Sequence, residues 1–181
     1  MFTASAKKKE NIAEYLLYMW QIEDLIRAYD LDMERISTNI VDAYTDLSAE
    51  QRTMLYEWYE SLIDMMRSEG VAQQGHLQLN KNVIIDLTDL HLRLLKSTRE
   101  PFYTAAFYKA LPYIVELRAK SQGAQVGEIE TCFNALYGIL MLRLQKREVS
   151  TDTLKAMKDI TAFVTVLAEK YRLDKAGELE L

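Results

Sequence analysis

The sequence predicts an all-α protein, a single-domain bundle of about seven mostly antiparallel helices, and three observations predict it. The chain of 181 residues has only six glycines and two prolines, far too few turn formers for a sheet-rich fold. Apolar residues recur at spacings of three and four along most of the length. No stretch alternates apolar and polar residues between turn signals, so no strand is expected. With 49% hydrophobic and 27% charged residues, the chain can bury a core without disulfide or metal. No composition shift or repeat divides it, so residues 1–181 read as one domain, with 1–5 and 175–181 expected to fray.

The first predicted helix covers 6–29, with Ile12, Tyr15, Leu16, Met19, Ile22 and Ile26 on one face, widened by Leu17 and Trp20. Asp32 is the expected N-cap of a short second helix bearing Ile36, Ile40 and Val41. Ser48 and Gln51 form a capping box opening the third, whose stripe is Leu55, Trp58, Tyr59, Leu62 and Met65/Met66 and whose stop is Gly70. Residues 71–79 read as the longest connection.

The fourth helix, 80–97, carries two apolar rows, Val83, Leu87, Leu90, Leu94 and Ile84, His91, Leu95, with Ile85 and Leu92 beside them. So broad an apolar surface predicts a central position. Pro101 suits the first turn of the fifth helix. Pro112 must either kink that helix or split it. A loop at 121–127 leads to the sixth helix, 128–147, with Ile129, Cys132, Phe133, Leu136, Tyr137, Leu140 and Leu144 inward, also expected near the centre. Ser150 or Thr151 caps the seventh, which is expected to bury Leu154, Met157, Thr161, Val164, Leu167 and Tyr171.

The stretches NIAEYLLYMWQIEDLIRAYDLD from Asn11, GHLQLNKNVIIDLTDLHLRLLKS from Gly75, PFYTAAFYKALPYIVELRAKS from Pro101 and EIETCFNALYGILMLRLQKREVS from Glu128 resemble one family. It is the domain of unknown function 4924, found mainly in Bacteroides-type gut bacteria. The resemblance spans nearly the whole chain and implies a stand-alone bacterial helical protein of this length. It brings no activity, cofactor or catalytic residue with it.

Charge and composition narrow the function classes. A net charge of −5 argues against a general grip on nucleic acid. No uncharged run reaches membrane-spanning length, and no secretory leader pattern follows Lys7, Lys8 and Lys9, so a cytoplasmic protein is expected. The lone Cys132 lies in an apolar stretch and reads as a small buried hydrophobe. The three lysines would sit unfavourably at the start of the first predicted helix.

Two acidic pairs carry the sharpest enzymatic reading. Glu57 and Glu60 share one face of the third helix, and Asp86 and Asp89 repeat the spacing on the fourth. Such oxygen ligands suit Mg²⁺. The layout is similar to the paired carboxylates of all-α nucleotide pyrophosphohydrolases, with Asp86 standing where that pattern begins its second pair with Glu. The simpler reading of Glu57, Glu60 and Asp64 is a solvated face. A second candidate is the polar side of the fourth helix, Asp86, Asp89, His91 and Arg93, with Asp89 and Arg93 spaced for an ion pair. It reads as a pocket or as a buried network that fixes register. No Glu-x-x-His pair, phosphate loop or nucleophile motif is present. The sequence therefore points first to a non-enzymatic helical module that binds a protein partner, itself or a small ligand, with no cofactor. A Mg²⁺-dependent hydrolase is the alternative.

Overall fold

Helix punctuation along the chain follows capping chemistry, and it produces eight α-helices in a computed structural model that describes residues 1–120 and 126–181. They are α1 (Phe2–Glu10), α2 (Ile12–Ala28), α3 (Met33–Ile36), α4 (Ala49–Ser68), α5 (Gln78–Lys96), α6 (Pro101–Lys120), α7 (Glu128–Leu144) and α8 (Thr151–Ala176). A single π-helical turn, Ser37–Val41, continues α3. No strand occurs among the described residues. The loop expected at 121–127 falls largely on residues 121–125, outside the described residues.

Three predicted caps are present. Asp32 accepts from the Glu34 and Arg35 amides. Ser48 and Gln51 bond reciprocally, amide to side chain at 2.9 and 3.2 Å. Ser150 takes the Thr153 amide at 3.2 Å. Gly70 has the expected left-handed φ of 69° just past α4.

The expected helix over 6–29 is two helices. Asn11 leaves the helical region, and its side chain accepts from the Ala13 and Glu14 amides, which makes it the N-cap of α2. The break also explains Lys7, Lys8 and Lys9. They occupy the last turn of α1, where the helix dipole favours cations, and Lys7 pairs with Glu14 at 2.6 Å. At the chain ends α1 starts at Phe2 with Ala4 buried, and α8 closes on Gly177 at φ 72°. At Pro112 the helix does not split, because α6 continues through it on the solvent side.

The core is shared by α2, α5, α7 and α8, each of which packs on four other helices. Leu16, Ile26, Leu87, Leu90, Leu94, Phe163 and Leu167 are sealed from solvent there. Two packing expectations change. The α8 stripe is Met157, Ile160, Phe163, Val164, Leu167 and Ala168, whereas Leu154 and Thr161 are exposed and Tyr171 is half-buried. Met157, Val164 and Leu167 are common to both sets, and Ile160, Phe163 and Ala168 complete the inward face beside them. α7 is central only at its start: Ile129, Thr131, Cys132 and Phe133 are buried, and nothing from Asn134 onward is. α5 is central but one-sided, with Ile85 and Leu92 facing solvent. On the outside of α6, Phe102 is 87% exposed, and Tyr108 and Val115 are exposed together on another part of its surface.

Cys132 is buried as expected, and burial pushes its thiol up to about 12. His91 is another titratable group buried in the core. Its Nδ1 lies 2.6 Å from the Tyr103 hydroxyl, and its ring sits edge-on to Phe107 and Phe163. Burial holds the imidazole below its ordinary 6.5, while the Glu128 carboxylate, 3.8 Å from Nε2, acts the other way. With the folded value below the unfolded one, the unfolded chain takes up the proton first as pH falls. His91 therefore leaves stability intact above about pH 6.5 and erodes it below, by at most about 1.4 kcal/mol per pH unit. The urea midpoint should drop between pH 7.5 and pH 5.5 by more in the native chain than in His91→Gln. Equal drops in the two proteins would contradict this account.

Candidate functional site: a cavity between α2 and α5

A charged residue on a core stripe must find partners or unfold the stripe. Glu23 is such a residue, since it follows Leu16 and Met19 on the inner face of α2 and precedes Ile26. It is 1% exposed, and its carboxylate is fully occupied. Oε1 accepts the Leu77 amide at 2.9 Å and the Asn80 side-chain amide at 2.6 Å. Oε2 lies 2.6 Å from His76 Nδ1. One turn later Arg27 donates to the carbonyls of Val71 and Gly75 and pairs with Asp24 at 2.8 Å. Two side chains of α2 thus fasten the whole connection between α4 and α5, along with the first turn of α5. Gly75, at φ 86°, lets that connection double back beside α2.

The fastened segment forms one wall of a cavity of about 360 Å³. Trp20, Gly75, His76 and Asn80 line its inner part, Ile84 and Ile85 give an apolar wall, and Lys81 and Glu130 stand among the lining residues as well. Trp20 stacks on the His76 ring, with centroids 4.1 Å apart and planes 13° from parallel. Phe133 and Tyr137 meet the indole edge-on, so the platform cannot tilt. Tyr137 in turn donates to Asp24 at 2.6 Å. Burial raises the Tyr137 phenol well above its ordinary range, which keeps this donor protonated.

Two polar atoms in this wall have no hydrogen-bond partner. They are Asn80 Oδ1 and Trp20 Nε1, and both are buried. The amide orientation of Asn80 is set by chemistry. Glu23 Oε1 already accepts the Leu77 N–H, so it is an acceptor, and the Asn80 NH₂ must face it. The Asn80 oxygen is left as an unused acceptor and the Trp20 N–H as an unused donor.

The sequence-predicted candidates lie elsewhere. Glu57 and Glu60 are exposed on α4. Asp86, Asp89 and Arg93 face a shallow surface groove between α5 and α8, not a buried pocket. Asp86 meets Lys175 at 3.2 Å and the Tyr171 hydroxyl at 3.3 Å. Arg93 pairs with Asp174 at 2.7 Å, in place of the expected Asp89. An aspartate on a neighbouring helix can meet the guanidinium without bending the side chain back along α5. His91 is separated from these three on the opposite, buried side of the helix. Among the described residues no three His, Cys, Asp or Glu side chains come together as a metal site. The two acidic pairs are therefore not assembled into one carboxylate cluster.

Sequence reasoning passed over Trp20, Glu23, His76 and Asn80 as a set. The available signal was polarity at core register: Glu23 lies four after Met19, and Asn80 lies three before Val83. His76 could not be found that way, because it lies in a connection with no period.

Fold and site together define the class of the molecule: a single-domain, all-helical protein with a largely apolar cavity beside an anchored polar cluster and no helix, among the described residues, long and apolar enough to cross a membrane. The family model for the domain of unknown function DUF4924 matches residues 1–178, and the chain belongs to that family. No curated protein and no solved structure matches it.

Proposed function

We propose that this protein is a non-enzymatic binding module and that its ligand is a small molecule held in the cavity between α2 and α5. The observation that supports it is the cavity of about 360 Å³ itself, whose apolar wall of Ile84 and Ile85 meets the Trp20–His76 stack that Glu23 holds in place. The mixture of apolar lining and a few fixed polar atoms is what small-molecule sites share. A concave space of this size suits a small ligand better than a protein partner or a second copy. The Mg²⁺-dependent hydrolase reading draws no support from carboxylates that stay apart.

The reading is tested by ligand-observed NMR with a fragment library on the native chain and on Ile85→Trp. Ile85 is 52% exposed on the cavity wall, so an indole there narrows the space without entering the core. Fragments should bind the native chain and lose contact with the variant. An absence of hits, or hits that are indifferent to the substitution, would remove the proposal.

A further inference from the structure

We infer that His76 is the group through which the cavity recognises its ligand, and that the ligand is a neutral molecule with an apolar body and a donating hydroxyl, phenols being the simplest class. The inference rests on the cavity being a ligand site and adds the polar contact and its chemistry. His76 lines the cavity, and its side chain is 28% exposed although it stacks on Trp20. Its Nδ1 is occupied by Glu23 Oε2 at 2.6 Å. Among the described residues its Nε2 has no hydrogen-bond partner, and unlike the Asn80 oxygen and the indole nitrogen it is not sealed from solvent.

Glu23 decides what that nitrogen can do. A carboxylate only accepts, and Glu23 already accepts from the Leu77 amide and the Asn80 side chain through Oε1. In the neutral ring the proton therefore sits on Nδ1, facing Oε2, and Nε2 keeps its lone pair. The carboxylate is 1% exposed and fastened by three bonds, so the tautomer is fixed from inside the protein. Glu23 is thus a positioning residue, and the reachable imidazole nitrogen is an acceptor without a donor. A carboxylate or phosphate would bring only acceptors to that lone pair. An ammonium could donate, but its charge would lose water against Ile84, Ile85 and Trp20, and Lys81 and Glu130 give the lining no net charge to offset the loss. A neutral O–H meets the lone pair without that penalty. A phenol donates more strongly than an aliphatic alcohol, because its O–H is the more acidic, and its ring adds apolar area for the wall.

The test uses the full ¹⁵N-labelled chain at about pH 8, where an imidazole is neutral. Long-range ¹H–¹⁵N spectra should show His76 with a protonated Nδ1 and an unprotonated Nε2. Phenol is then compared with anisole, which keeps the ring and the oxygen and loses the donor. Phenol should move the Nε2 signal. Anisole should leave it in place and bind about fivefold more weakly, the worth of one net hydrogen bond. Glu23→Gln tests the positioning role. Its carbonyl oxygen can keep the Leu77 and Asn80 bonds while its NH₂ donates to Nδ1, which moves the ring proton to Nε2. In that variant the preference for phenol over anisole should disappear. A preference that survives in Glu23→Gln, or a native ring protonated on Nε2, would overturn the inference. So would equal binding of phenol and anisole with Nε2 unmoved, or failure of both while other fragments bind in an Ile85-sensitive manner. Failure of both together with every fragment would remove the ligand reading itself.

Discussion

Glu23→Ala is expected to destabilise the fold by about 3–5 kcal/mol, the cost of removing one side of a buried, fully bonded charge. The substitution deprives the Leu77 amide, the Asn80 side chain and His76 of the hydrogen-bond partner they share on α2. Glu23→Gln separates charge from connectivity. Its carbonyl oxygen can still accept from Leu77 and Asn80, and its NH₂ can donate to a neutral His76, so it should cost about 1–2 kcal/mol. Urea denaturation of the three proteins measures this. A Glu23→Ala variant as stable as the native chain would mean that the buried carboxylate does not hold the wall together.

The second large effect belongs to Phe163. It is sealed from solvent and touches His91, Tyr103 and Phe107 through ring contacts at 5.4–5.7 Å. Phe163→Ala should cost about 3–5 kcal/mol, since the rings around it are fixed by the Tyr103–His91 hydrogen bond and cannot collapse into the space. Leu154→Ala is the informative partner. The apolar repeat places Leu154 inward, and the structure leaves it 41% exposed. Its truncation should change stability by about 0.5 kcal/mol or less. Comparable losses from the two variants would show that the α8 stripe is assigned to the wrong residues.

These two pairs show what the sequence makes legible. Where a decision is local, the residues state it: the Ser48–Gln51 box, the Asp32 cap and the Gly70 stop need only a few neighbours. Asn11 is also local, but the apolar period runs on through it and hides the cap. Burial is harder, because it depends on what lies opposite. The row of leucines and isoleucines on α5 fixes its inward face, yet nothing in α5 says that Ile85 and Leu92 have no neighbour. The α7 apolar run likewise does not say that full burial stops at Phe133. The candidate site was the least legible part. Acidic pairs draw attention by spacing, but Asp86 and Glu57 belong to surfaces that the fold never brings together. Glu23 and Asn80 are ordinary residues whose meaning comes from a contact between segments 57 positions apart.

That distance has a consequence for how the molecule comes to exist. Every bond to the Glu23 carboxylate spans between 53 and 57 residues, so none of them can form inside one helix or one hairpin. Closing a loop of that size costs entropy before any contact rewards it, and it slows the step that does so. The wall is therefore assembled only when α2 and α5 have docked, after their own turns are in place. A fragment that carries α5 and the connection before it would possess Asn80 and His76 and still lack the wall. The wall is a property of the docked helices, and no single segment of the chain contains it.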